Sequence, residues 1–224
     1  MILPRKARTA RTAVTATIRR SLVRLLTRMA AVDVTRTIAV ASMRTLFNSI
    51  APSWENIRSE PIYREATRAA LAELPHRVDT WRVPARALDV ACGTGLATQL
   101  LLESFPAASV TGIDIAEEML DLARELVPDA MFVAADSFAL PFEDDSWDLV
   151  ITVDGVFDTE ELARVCAPGG SIVIVYTKGA SIPVSRDVHE IATQLEATGM
   201  HCSTYTDSFW CVWASQPAIS PPQD

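Results

Sequence analysis

The segment that most limits what this chain can fold into is Ala87-Leu88-Asp89-Val90-Ala91-Cys92-Gly93-Thr94-Gly95. A short apolar strand carries an acid, a Gly-x-Gly turn follows, and Leu96 to Leu101 reads as a helix. Glycine at 93 and 95 lets the backbone turn sharply and lets a ligand approach the main chain. The first amide groups of the helix, and the positive end of its dipole, then face the turn. A dinucleotide site calls for a third glycine near position 98, where Thr98 stands, and does not usually place an acid inside the preceding strand. Asp89 suits a cationic ligand instead. On this segment alone, an ordinary strand-turn-helix corner remains open.

Three later segments bear on that choice. Ala108 to Asp114 is a second short strand, and its terminal carboxylate lies 21 residues past Gly93. That is close to the spacing of about 20 expected of a ribose-binding acid. Asp114 also suits a cap for the helix that begins near Ala116. Phe132 to Ala135 leads into Asp136 and Ser137, then Leu140-Pro141-Phe142 and the acidic turn Glu143-Asp144-Asp145. A carboxylate there can accept from an amino group, or can simply serve a turn. Ala167-Pro168-Gly169-Gly170 precedes the apolar run Ser171 to Tyr176, with Pro and Gly chemistry that makes a turn before a strand.

Together these four segments, covering about residues 86–177, resemble the class I S-adenosylmethionine-dependent methyltransferases. The nearest likeness is to the small-molecule enzymes related to ubiquinone and menaquinone biosynthesis. The first segment is similar to the family's x-Leu-Asp-Val-Gly-Cys-Gly-x-Gly, and the third to its A-D-x-x-x-L-P-F-x-D-x-S-F-D-L-V. The resemblance implies an α/β, Rossmann-like fold: a doubly wound, mostly parallel sheet with an antiparallel carboxy-terminal edge. It implies S-adenosyl-L-methionine as cofactor and in-line methyl transfer to a small-molecule acceptor. Asp89, Ala91, Gly93, Thr94 and Gly95 would then form the turn against the cofactor. Asp114 with Ile115 would meet the ribose, and Asp136 with Ser137 the adenine. Phe47 to Trp54 is similar to the family's capping lead-in, so Trp54 and Tyr63 could cover the sulfonium, where an aromatic face attracts a cation; both also read as core aromatics.

The chain departs from the family in three places. Ala91 replaces a glycine, only Asp154 to Asp158 separate the fourth strand from the next helix, and no large insertion precedes the last helix. The acceptor is therefore open, and a methyltransferase-like protein that binds cofactor or a partner without catalysis is the competing reading. Sulfonium is a good leaving group, so proximity can carry most of the reaction. Asp154 is the candidate for proton removal or substrate orientation, against a plain turn residue before Gly155. Phe157 and Tyr176 are candidate pocket aromatics. His76, His189 and His201 form no cluster, so no metal site is expected.

Charge divides the chain. Residues 1–50 hold ten Arg or Lys and one acid, a net of +9, and the remainder carries −17. An acidic catalytic half makes nucleic acid a poor partner. Ile18, Leu22, Leu25, Leu26, Met29 and Val32 follow helical spacing, with Arg20, Arg24 and Arg28 on the other side. That composition fits a transit peptide, a membrane-surface helix, or a segment packed on its own acidic domain or a partner. Met43 also reads as a possible true start. The expected division is a basic arm over 1–42, a methyltransferase domain over 43–217 and a frayed tail over 218–224. The four cysteines lack metal or disulfide spacing, which points to a reducing, cytoplasmic setting, organellar or membrane-peripheral if the arm is genuine.

Overall fold

A computed structural model describes residues 20–30 and 33–218. Residues 20–30 form helix α1, followed by α2 (Asp33–Ile50), a 3-10 turn (Ala51–Ser53), α3 (Trp54–Arg58) and α4 (Pro61–Arg77). Then come β1 (Arg86–Val90), α5 (Leu96–Ser104), β2 (Ser109–Asp114), α6 (Glu117–Leu126), β3 (Met131–Ala134) and β4 (Trp147–Val153). The chain continues through α7 (Thr159–Val165), β5 (Cys166–Tyr176), α8 (Val188–Ala197), β6 (His201–Tyr205) and β7 (Trp210–Ser215).

The seven strands run in the order β3-β2-β1-β4-β5-β7-β6. The β1–β5 pairings are parallel, and β7 pairs antiparallel with both β5 and β6. This is the expected doubly wound sheet with an antiparallel edge. Its strand order reverses between β1 and β4, so a crevice opens at their carboxyl ends, where such sheets hold ligands.

Both faces of the sheet are covered, which is why its central strands are apolar throughout. Leu88, Val90 and Val150 pack toward α7 and α8, while Ala87, Leu149 and Ile151 pack with residues of α4 and α5. Asp89 lies on the same face as Ala87, beneath α5. Helix starts follow local chemistry: Asp158 accepts from the Glu160 and Glu161 amides, and Asp187 from those of His189 and Glu190.

Three sequence expectations change. The two prolines of Pro75 to Pro84 read in the sequence as a linker, but Pro75 lies inside α4, near its end, where one lost donor is tolerated while Leu71 and Leu74 are buried. The division at residue 43 falls in the middle of α2, and Met43 is 5% exposed against Leu26, Ala30, Ala39 and Phe138. The apolar set in the arm is not one buried face. Leu26 and Ala30 are buried and Val23 half-buried, whereas Leu22 and Leu25 point to solvent. Ile18 and Val32 lie outside the described residues, as do 219–224 of the expected tail. Among the described residues no helix is long and apolar enough to cross a membrane.

Candidate functional site

A cavity of about 510 Å³ opens at the carboxyl ends of β1, β2 and β4. Ala91, Gly93 and Thr94 of the turn, with Asp114, Ile115, Asp136 and Ser137, line one half of it; of the expected cofactor residues Asp89 and Gly95 do not. Val153, Asp154, Gly155 and the segment after β5 line the other, and Val23, Val40, Met43 and Phe47 of α1 and α2 roof it.

Asp89 lies behind the turn, outside the lining, and is costly to bury. It is 1% exposed, and its Oδ2 accepts from Thr98 Oγ1 at 2.7 Å. Its Oδ1 is buried with no protein partner. Burial pushes the carboxyl up to about 7, only partly opposed by the Thr98 hydroxyl and amide. Thr98 thus stands at the dinucleotide-glycine position for a reason: it holds the acid. From the sequence, Thr98 only disfavours a dinucleotide site; its hold on the acid is not read there, although a hydroxyl on the buried side of the next helix is the available signal.

The turn itself needs its glycines. Gly93 and Gly95 have φ of +56° and +87°, the left-handed region. A Cβ on Gly93 would stand 3.2 Å from Trp54 Nε1. Trp54, set edge-on against Phe47, lies over the turn. Glu55, beside it, accepts a short hydrogen bond from Thr94 Oγ1, and so ties α3 to the turn. Ala91 also takes φ +57°. The glycine-to-alanine departure thus falls where a Cβ is strained, by roughly 1–2 kcal/mol.

Asp114 holds the glycine turn and does not cap α6, whose N-cap residue is Ala116 with no side-chain cap. Oδ2 accepts from the Gly93 amide and Oδ1 from the Ala116 amide, each at 2.9 Å. Burial raises its pKa, and these amides oppose the rise. The carboxylate holds the glycine turn in place and retains further lone pairs for a ligand's hydroxyls. Asp136 Oδ1 accepts from the Phe138 amide at 3.0 Å, a turn role, at the cavity edge with Ser137.

Asp154 is fully engaged. Arg58 Nη1 lies 2.9 Å from Oδ2, Thr177 Oγ1 donates to Oδ2 at 2.7 Å, and the Thr177 amide donates to Oδ1 at 2.8 Å. Burial raises its pKa, and Arg58 works against that. At φ +54° its backbone is strained beside Gly155. A Cβ on Gly155 would collide with Thr152 Oγ1 and crowd Ala91. Neither Arg58 nor Thr177 was singled out from sequence; both partners are far from Asp154 along the chain. Tyr176 is fully buried away from the cavity. Phe157 lines a neighbouring polar cavity. His201 pairs with Asp79 at the surface. Among the described residues no group is arranged to hold a metal.

The site fits a ligand carrying both cationic and hydrogen-bond-donating parts. Two carboxylates, Asp114 and Asp136, line it beside a turn that excludes side chains, and a third, Asp89, lies buried behind that turn with one oxygen unpartnered. The strand order is that of the class I S-adenosylmethionine-dependent methyltransferase fold. Residues 87–170 match the methyltransferase domain family.

A demethylmenaquinone methyltransferase of Staphylococcus aureus is 35% identical over 117 residues, 47% of this chain and 48% of that one. The chain thus spans about half the length of the curated relatives it matches. A SAM-dependent methyltransferase from Aquifex aeolicus superposes with a TM-score of 0.57 at 20% identity, over 73% of this chain and 96% of that one. The [4+2]-cyclase SpnF superposes with a TM-score of 0.60 at 14% identity, over 79% and 96%.

Proposed function

We propose that this protein transfers a methyl group from S-adenosyl-L-methionine to a small-molecule acceptor by in-line displacement. The observation that carries the reading is the cavity lined by Gly93, Thr94, Asp114 and Asp136, with Asp89 buried behind the glycine turn and one of its oxygens unpartnered. The cofactor supplies a methyl on sulfonium, a leaving group the protein need not activate. Asp89, held by Thr98, offers a negative charge to the ligand's cationic part. Asp114 and Asp136 keep lone pairs for ribose and adenine donors. Trp54 closes over the turn through the α3 contacts with Gly93 and Thr94. Asp154, held by Arg58 and Thr177, orients rather than removes a proton. Rate then rests mainly on alignment.

The relative named for demethylmenaquinone supports a small apolar acceptor, in keeping with the Val23, Met43 and Phe47 roof. Titration calorimetry with S-adenosylhomocysteine, then incubation with methyl-labelled cofactor and a metabolite extract, tests the reading. Binding and a labelled small molecule are expected. Binding without any labelled product favours the second reading, cofactor binding without methyl transfer. A cyclase sharing this fold gives that reading its footing, since fold alone does not set activity.

The amino-terminal helices carry the partner proposal. Leu22 and Leu25 are 41% and 54% exposed beside exposed Arg24 and Arg28, a surface suited to an anionic lipid headgroup layer. Four unpaired cysteines support a cytoplasmic setting.

A further inference from the structure

Two cations stand against one buried ring at the acceptor end of the chamber. The Arg58 guanidinium lies 4.4 Å from the Tyr63 ring centroid, and Lys178 Nζ lies 4.6 Å from the same centroid. All three residues line the chamber. Their anionic partners are unequal. Arg58 faces buried Asp154 at 2.9 Å, and the two side chains are 11% and 6% exposed. Lys178 faces Glu60 at 2.8 Å, but the Glu60 side chain is 62% exposed and its charge is screened by solvent. Arg20 adds a third cation to the lining. Asp154 offsets Arg58, and Asp114 and Asp136 belong to the cofactor side, so Lys178, whose partner is screened, is the weakly offset cation of this end.

The same wall holds no free base. No histidine and no glutamate is among the described lining residues. Asp154, the carboxylate at this end, already receives three donors. An acceptor that must lose a proton finds nothing here to take it. A protonated amine is repelled by Arg58 and Lys178. An acceptor that enters already ionised satisfies both conditions.

Resting on the methyl-transfer reading above, we propose that the acceptor is an oxyanion, a carboxylate or phenolate, on an apolar body, drawn in by Lys178 and Arg58. The oxyanion's lone pair forms the new bond to the methyl carbon as the carbon–sulfur bond breaks toward sulfur. No proton has to leave, and the positive and negative charges disappear together.

The test uses the full chain saturated with S-adenosylhomocysteine, and equilibrium dialysis against 2-naphthoate and its neutral counterpart 2-naphthamide. Naphthoate is expected to bind roughly tenfold more tightly. Lys178→Gln removes that preference, Lys178→Arg restores it, and Glu60→Gln strengthens naphthoate binding. All three variants change exposed or half-exposed side chains and keep their affinity for S-adenosylhomocysteine. Equal binding of the two probes, binding of neither, or a preference that survives Lys178→Gln overturns the oxyanion proposal alone. Failure of the parent chain to bind S-adenosylhomocysteine overturns the methyl-transfer reading, and the proposal with it.

Discussion

Replacing Asp89 with asparagine should stabilise the free protein while weakening its hold on the cofactor. The carboxyl is 1% exposed and its pKa is raised from 3.8 to about 7, first by burial. Shifting a group that far costs about 4 kcal/mol once it is ionised. Below pH about 4 the carboxyl is protonated in both folded and unfolded chains, so parent and variant gain nothing relative to each other there. Between about pH 4 and 7 the unfolded carboxyl ionises while the folded one stays protonated, so the parent's penalty grows across that window and is complete above about 7. Asparagine keeps the shape and can still accept from Thr98 Oγ1. The stability gain of Asp89→Asn is therefore near zero at pH 4 and rises to about 4 kcal/mol at pH 8. For a chain of this size that is a rise in Tm of about 8–16 °C. Thermal melts across pH 4–8, with and without S-adenosylhomocysteine, measure it. The ligand should lift the parent's Tm much more than the variant's. A gain that does not depend on pH, or a variant that binds the ligand as well as the parent, would refute the reasoning.

Ala91→Gly should stabilise by up to about 1 kcal/mol, because relief of the left-handed strain outweighs the added chain entropy; urea denaturation measures this, and a loss of stability sinks the strain argument. Asp114→Ala should weaken S-adenosylmethionine binding by about 1.5–3 kcal/mol and also loosen the glycine turn, whose Gly93 amide loses its acceptor; unchanged affinity by calorimetry in a folded variant contradicts the ribose role. Deleting residues 1–42 should lower stability and expose Phe138, because α1 and the first half of α2 pack against it; identical melting of the two forms would show that this contact carries no energy. Leu22→Asp with Leu25→Asp should leave folding intact and reduce sedimentation with anionic vesicles, the difference shrinking as salt rises; equal sedimentation removes the lipid contact.

The order of elements from residue 86 onward was legible because it is written in local terms. A strand buried on both faces must be apolar along its length, a left-handed turn selects glycine, and a helix start selects an acid such as Asp158 or Asp187. The cofactor-side candidates Asp89, Gly93, Asp114 and Asp136 follow from those same rules, since each stands within three residues of the carboxyl end of its strand. What Asp89 and Asp154 experience was not legible. Thr98 reaches Asp89 because α5 folds back over β1. Arg58 and Thr177 reach Asp154 from 96 residues before it and 23 after it. The amino-terminal segment shows the same limit from the other side. Helical spacing grouped Leu22, Leu25 and Leu26 as one apolar face, yet only Leu26 is buried, because the surface it meets is built by Ala39, Met43 and distant Phe138. Periodicity tells which residues share a side of a helix. Burial and charge depend on what the rest of the chain brings to that side, and that is decided when the strands take their order and the crevice between β1 and β4 opens.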